Sequence, residues 1–183
     1  GAKDVVKKGH LAKAILVPEP TWGDIINAEG GLEWVRVTIP GRSAHAGWRF
    51  NEIWPQHHTS NRLVPGVNAI ELANRFLNAL RNFERDRCRN TYHPLSPLGL
   101  ATINPGVIRG GVGEGKDGLP IIMSNPAMVP DIVTLDLDYK FLPNEKQKDI
   151  RKEFEEFVLN FSQADPWLKE NPIKVQWELG GLY

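Results

Sequence analysis

The sequence lacks the features that mark several classes of protein. It has one cysteine, Cys88, and so no internal disulfide, which favours a reducing compartment and predicts a cytoplasmic protein. Its charges balance, with 22 Lys and Arg against 22 Asp and Glu, whereas nucleic-acid-binding domains usually carry a basic surface. It contains no run of about 18 apolar residues, the length that a membrane-spanning helix needs. We therefore expect neither a nucleic acid nor a membrane as partner.

The apolar residues that are present follow the periods of strands and helices. Alternation with a period of two predicts half-buried strands, and spacing by three and four predicts amphipathic helices. The predicted strands are residues 30–39, 100–111, 130–143 and 173–179. The predicted helices are residues 65–84 and 144–161, joined to the strands in the order β-α-β-β-α-β. This order is typical of the ferredoxin-like plait, an α+β fold with an antiparallel four-stranded sheet and two helices on one face.

Several local details can also be predicted. Pro65 is expected at the start of the first helix. Asn144 is expected to cap the second helix, with Gln147 as its capping-box partner. The strand over residues 100–111 should kink at residues 104–106, where the sequence is Asn-Pro-Gly. The glycine-rich stretch at residues 110–118 lacks the Gly-Lys-Ser/Thr ending of a phosphate loop and is interpreted as a mobile surface loop.

Three groups of polar residues are candidates for a functional site. His45 lies in PGRSAHAG just after the first strand; it either binds a metal or an oxyanion, or is a loop histidine bonded to nearby backbone. Glu19 in VPEPT is either a metal ligand or general base, or a surface carboxylate. Asp136, Asp138 and Lys140 share one face of a strand, as cross-strand ion pairs or as a surface for a substrate or partner.

Five stretches together resemble a known family. They are VPEPT, GGLEWVRVTIPGRSAHAG, GVNAIELANRFLNAL, LATINPGVIRGG and VPDIVTLDLDYKFLPNE. In this order, over about residues 12–160, they are similar to the acetylornithine deacetylase / succinyl-diaminopimelate desuccinylase family of M20-type metallohydrolases. The resemblance implies a dimerisation, or lid, domain at residues 30–179. Residues 1–29 and 180–183 are then expected to be remnants of a catalytic domain.

The resemblance also implies roles for single residues. Glu19 matches a zinc ligand, and His45 matches the lid histidine that reaches the active site of the partner subunit and stabilises the oxyanion there. Asn125 and Lys140 are the expected substrate-binding residues. Many members have an asparagine where Ala127 stands here, two positions after Asn125. Lys140 replaces an arginine, which keeps the charge but loses the bidentate geometry.

The sequence thus predicts the lid of a zinc-dependent amide hydrolase that acts on N-acyl amino acids or similar small amides. The parent enzyme should hold two zinc ions, or cobalt, and form a homodimer through a strand edge or helix, expected near residues 32–39. The isolated chain is expected to be inactive, because the HxD and Glu-Glu motifs of the family's catalytic half do not precede the lid here. The alternative is a free-standing ferredoxin-like module that binds a small ligand or a protein.

Overall fold

The computed structural model describes most of the chain from residue 28 onward. It covers residues 28–49, 64–95, 101–177 and the pair Gly181–Leu182, with Val5, residues 7–10, Lys13 and residues 22–23 before them. The predicted Glu19 site lies outside the described residues.

Eight strands and three helices make up the described fold. The strands are β1 (Gly31–Pro40), β2 (Ala44–His45), β3 (Ile103–Glu114), β4 (Pro120–Ile122), β5 (Met128–Val129), β6 (Ile132–Phe141), β7 (Lys174–Gln176) and β8 (Gly181–Leu182). The helices are α1 (Ala69–Asn90), α2 (Gln147–Gln163) and α3 (Pro166–Glu170), and a short 3-10 turn spans Ala46–Trp48.

The main sheet has the topology of the predicted plait. Its strands lie in the order β4-β3-β6-β1-β7, all antiparallel. The short strand β8 pairs with Leu32 and Glu33 of β1, on the same edge of β1 as β7. The elements β1-α1-β3-β6-α2-β7 supply the expected β-α-β-β-α-β order, so the fold class is confirmed. Two short strands, β4 and β8, add to the four that the sequence predicts. A separate two-stranded ribbon joins β2 to β5.

The core lies between one face of the sheet and the helices. Val35, Val37 and Ile39 of β1 are fully buried. On the helices, Phe83 and Phe157 stack with ring centroids 4.5 Å apart. Burying each large apolar side chain contributes roughly 1.5–3 kcal/mol, so the alternation of the strands and the helical stripes together explain why the layers associate.

Both helices begin later than the sequence predicts. The first starts at Ala69 because the Asn68 side chain caps it, accepting hydrogen bonds from the N–H groups of Ile70 and Glu71. Pro65 therefore precedes the helix and does not start it. This cap satisfies amide groups that have no partner within the first turn.

The predicted capping box of the second helix is wrong. The helix begins at Gln147 after Lys146, which makes no side-chain capping bond, and Asn144 donates instead to the carbonyl of Tyr92. Gln147 Nε2 hydrogen-bonds Oε1 of Glu33, a fully buried carboxylate on the core face of β1. The need of a buried carboxylate for hydrogen-bond donors outweighs a local cap.

The third strand differs from the prediction at its far end. The expected kink is present as a register shift between Pro105 and Val107, where β3 pairs with β6. The glycine-rich stretch is not simply a loop, because β3 continues to Glu114 and forms a hairpin with β4. Gly118, at φ +73°, closes the tight turn with a hydrogen bond to the Gly115 carbonyl.

Candidate functional site

The loop that carries His45 is fastened to its surroundings as soon as it leaves β1. Arg42 and Val67 exchange two main-chain hydrogen bonds of 2.9 Å, and Arg42 Nε donates to the Pro65 carbonyl at 2.8 Å. Gly41 must be a glycine, because a Cβ there would lie 2.3 Å from the Val67 carbonyl oxygen. These contacts give the loop a defined starting point.

The backbone of His45 itself is held by the small ribbon. His45 lies opposite Met128 in the β2–β5 pair, and the N–H of Ala46 donates to the Ala127 carbonyl at 2.8 Å. Directly opposite residues in an antiparallel pair present their side chains on the same face. His45 therefore sits beside Met128 at one corner of the domain.

The imidazole of His45 is exposed, and the described residues bond it on one side only. Its Nδ1 accepts a hydrogen bond of 3.1 Å from the N–H of Gly47, and the ring meets Trp48 at a steep angle, with centroids 6.3 Å apart. Within the described ranges, no residue forms a hydrogen bond with Nε2. The bond to nearby backbone that the sequence left open is present, and it leaves the outer nitrogen able to bind another molecule.

Asn125 lies at the same corner as His45. Its Oδ1 accepts a hydrogen bond of 3.0 Å from the N–H of Ala127, whose carbonyl is bonded to the residue after His45. Asn125 also lines a groove of about 390 Å³, together with Met128 and Ile70. The structure therefore links Asn125 to the His45 loop through Ala127, and no described residue accepts a hydrogen bond from the Asn125 amide group beside the groove.

Lys140 lies at the opposite end of the sheet. It pairs with Leu32 near the end of β6, and its Nζ forms an ion pair of 3.2 Å with Asp138 on the same strand. It lies eight positions along β6 from Ile132 at the His45 end, which is about 26 Å at roughly 3.3 Å per residue. Within one chain the structure does not bring Lys140 together with His45.

The face of the sheet away from the helices carries a three-strand ion cluster. Arg36 of β1 binds Asp136 of β6 through two hydrogen bonds of 2.6 and 3.0 Å, and Arg109 of β3 adds a third of 2.9 Å. The hydrogen bonds from Arg36 are the largest cause that lowers the pKa of Asp136 below its ordinary value. The cross-strand ion pairs that the sequence suggested are thus present at Asp136, whereas Asp138 and Lys140 pair with each other on the same strand.

A metal centre requires several donors converging on one point. Among the described residues, no group of three or more His, Cys, Asp and Glu side chains has that arrangement. The residues described do not fit a zinc site on their own, and the predicted ligand Glu19 is outside them. None of the helices in the described ranges is long and apolar enough to cross a membrane.

The residues that support His45 were not singled out by the sequence. Gly41, Arg42 and Gly47 act through main-chain bonds or through the absence of a side chain, which leaves little pattern to detect. The only available signal was the run of small residues around His45, which indicates close approach of another group.

The chain is similar to a known protein family and to known proteins. Residues 55–165 match the family described as peptidase dimerisation domain (M20_dimer). Two curated relatives share one name, N-formyl-4-amino-5-aminomethyl-2-methylpyrimidine deformylase. The protein of Halalkalibacterium halodurans is 29% identical to this chain over 179 residues, and that of Bacillus subtilis is 28% identical over 179 residues.

The alignments also show what share of each relative this chain covers. Each covers 97% of this chain and 38% of the relative, so the chain spans well under half the length of the curated relatives it matches. Among solved structures, aminopeptidase PepT from Bacillus cereus shares 18% identity, over 84% of this chain and 31% of that one, with a TM-score of 0.44.

Proposed function

Because the chain belongs to the peptidase dimerisation domain family, we propose that it is the lid of a metal-dependent amide hydrolase whose His45 serves the active site of a partner subunit. One observation carries the proposal: an exposed imidazole stands on a loop fixed by main-chain bonds, and no described residue forms a hydrogen bond with its Nε2. The domain limits expected from the sequence, residues 30–179 with remnants at 1–29 and 180–183, form part of the proposal.

His45 would act by stabilising charge. When water adds to an amide carbonyl, the carbonyl oxygen becomes an oxyanion, and a donor placed at that oxygen lowers the barrier. Loss of one such donor costs about 10²–10³-fold in kcat. The fixed loop suits this task because a donor that needs no rearrangement contributes most. The bond then breaks between the carbonyl carbon and the leaving amine.

The substrate class is a small N-acyl amine. The names of the two curated relatives, which act on a formamide, support a deacylase, and the alignments extend over almost the whole chain. N-acyl amino acids, the substrates expected from the sequence, belong to the same chemical class. Asn125 would hydrogen-bond the substrate beside His45. Lys140 would contribute to binding only if a second subunit brings its end of the sheet to the same site.

The metal ions would be held by the rest of the enzyme. Two zinc ions, or cobalt, are proposed for the parent protein, with Glu19 as one ligand. No step assigned to His45 passes through them. The cytoplasmic location expected from the single cysteine, Cys88, is likewise part of this proposal.

The proposed homodimer needs a surface, and the described strands favour the edge of β3. The edges of β1 are occupied by β6 on one side and by β7 and β8 on the other, so the contact expected near residues 32–39 cannot be an edge pairing of β1. In contrast, β4 pairs with β3 only at Val112 and Glu114. Two exposed apolar side chains lie on the part of β3 that β4 does not pair, Val107 and Ile108, which are 41% and 55% exposed.

An open edge with exposed apolar side chains readily accepts another strand. A second copy of the chain would present the same edge across a two-fold axis. Ile108→Lys should therefore yield monomers in sedimentation velocity, whereas Leu159→Lys should leave the dimer intact. Leu159 is a matched control because it is 53% exposed and lies on α2. If the Ile108→Lys protein is still a dimer, the interface does not lie at the edge of β3.

Kinetics of the full-length enzyme test the catalytic proposal. His45→Ala should lower kcat by about 10²–10³-fold with a much smaller change in KM. His93→Ala is the control, because His93 also accepts a hydrogen bond on Nδ1, from the N–H of Leu95, but is remote from the ribbon. Full activity of the His45 variant would reject the role, and an inactive full-length protein would favour the free-standing binding module.

A further inference from the structure

We infer that Gly47 is the positioning residue of this site: its N–H places the imidazole proton of His45 on Nε2, and its missing side chain makes room for the ring. The inference deepens the proposed function, on which its catalytic consequence rests. Its structural part concerns the tautomer of the His45 side chain, which can be tested without measuring activity.

The first step is the direction of the hydrogen bond. The N–H of Gly47 donates to Nδ1 of His45 at 3.1 Å, so Nδ1 must offer a lone pair. A neutral imidazole carries one proton, and the nitrogen that does not accept the bond holds it. Nε2 is therefore the protonated nitrogen. Only in that tautomer can a neutral His45 donate a hydrogen bond from its outer nitrogen to a developing oxyanion.

The second step is the space beside the ring. A Cβ on Gly47 would lie 3.2 Å from Nδ1 and 3.6 Å from Cε1 of His45. The backbone does not itself call for glycine, because the φ angle of Gly47 lies outside the left-handed region. What a side chain at this position would crowd is the imidazole, which would have to shift by a few tenths of an ångström.

The third step concerns which group would move if residue 47 had a side chain, the imidazole or the backbone. The backbone around His45 is tied by the pairing with Met128 and by the bond from Ala46 to Ala127. Among the described residues, the imidazole has only the bond from Gly47 and the contact with Trp48. A methyl group at position 47 would therefore displace the ring more readily than the chain and would lengthen the bond to Nδ1.

The tautomer can be observed directly in the 183-residue chain. Long-range ¹H–¹⁵N spectra distinguish protonated from unprotonated ring nitrogens at an alkaline pH where imidazoles are neutral. His45 should show an unprotonated Nδ1 and a protonated Nε2. His93 is an internal reference, because its Nδ1 accepts the N–H of Leu95 at 3.2 Å. A wild-type His45 that is protonated on Nδ1, or an even mixture of tautomers, would overturn the inference.

Gly47→Ala tests the second part. The His45 signals should shift towards a mixture of tautomers while those of His93 stay unchanged. The amide signals of Arg42 and Val67, which pair with each other, report whether the rest of the loop is intact. Unaltered His45 signals in this variant would contradict the steric argument.

In the full-length enzyme, Gly47→Ala should lower kcat by about 10–100-fold, because a catalytic group that is misplaced by about 1 Å can cost about 100-fold in rate. KM should change little, and Ser43→Ala should behave as wild type. If His45→Ala is inactive but Gly47→Ala is fully active, this inference fails while the proposed function stands. If His45→Ala is fully active, the proposed function fails while the tautomer result still holds.

Discussion

The ion pair between Glu33 and Arg151 holds α2 against β1, the strand that leads to the His45 loop. Glu33 is fully buried, and Arg151 binds both of its oxygens, Nε to Oε1 at 2.9 Å and Nη2 to Oε2 at 3.0 Å. We predict that Arg151→Met destabilises the chain, because it leaves a carboxylate in the core without its cation. Methionine keeps part of the aliphatic stem but loses the guanidinium group, whose central carbon lies 5.3 Å from the centroid of the Trp177 ring.

The magnitude follows from burial. Removing one partner of a buried ion pair costs about 3–5 kcal/mol. The side chain of Arg151 is 33% exposed, so water reaches one side of the pair and the lower end, about 3 kcal/mol, is expected. For a chain of this size that corresponds to a fall in Tm of about 6–12 °C. Urea denaturation and calorimetry of the 183-residue chain measure both quantities.

A double-mutant cycle supplies the control. Glu33→Gln keeps the shape and removes the charge, and should cost only about 1 kcal/mol because Arg151 then faces partly into water. The double variant should be more stable than the sum of the single effects by about 1–2 kcal/mol. A cost below about 1 kcal/mol for Arg151→Met, or strict additivity, would refute the reasoning.

Three further predictions concern the ion cluster, the core and the loop. Asp136 has a pKa lowered chiefly by the hydrogen bonds from Arg36, so its contribution is present above its ordinary pKa and is lost as the pH falls below it. Asp136→Asn should cost about 1–2 kcal/mol at neutral pH and almost nothing in strong acid, as pH-dependent urea titrations will show; an equal cost at both would be inconsistent with the ion pair. Phe154→Ala, at a fully buried position, should cost about 3–5 kcal/mol in the same titrations, against less than about 0.5 kcal/mol for the exposed Leu159→Ala. Gly41→Ala should cost about 1–3 kcal/mol through its clash with the Val67 carbonyl and should shift the His45 resonances; unchanged resonances would mean that this glycine does not position the loop.

The sequence predicted most of the architecture because the main elements have strong periodicity. The alternation along β6, from Val133 to Phe141, identifies a strand with one apolar face, and that face is buried. The helical stripes were equally clear. Such patterns predict the fold well because each buried face is formed by many residues, so that no single residue determines the periodicity.

The errors arose where a distant residue competes with a local signal. Gln147 has the spacing of a capping-box residue, yet it binds Glu33, which lies far away in the sequence. The glycines at 110–113 indicated a loop, yet pairing with β6 and β4 extends the strand through them. Partners of this kind are visible only after the fold brings them together.

The candidate site, too, could be predicted from the sequence only in part. The position of His45 after a strand and among small residues could be read from the sequence. The bond from Gly47 to the ring and the proximity of Asn125 could not, because both depend on how β2 meets β5. Nor does spacing along the chain show that Lys140 lies at the far end of the sheet from His45.

The central claim is that His45 of one subunit completes the active site of the other. It is tested by mixing two inactive variants of the full-length enzyme, His45→Ala and Glu19→Ala, under conditions in which subunits exchange. If His45 acts across the dimer, each mixed dimer contains one site with both residues intact. About a quarter of wild-type activity should return, since half of the dimers are mixed and one of their two sites is complete. If His45 acts within its own subunit, no mixed dimer contains a complete site, and a mixture that stays inactive despite proven subunit exchange would contradict the account.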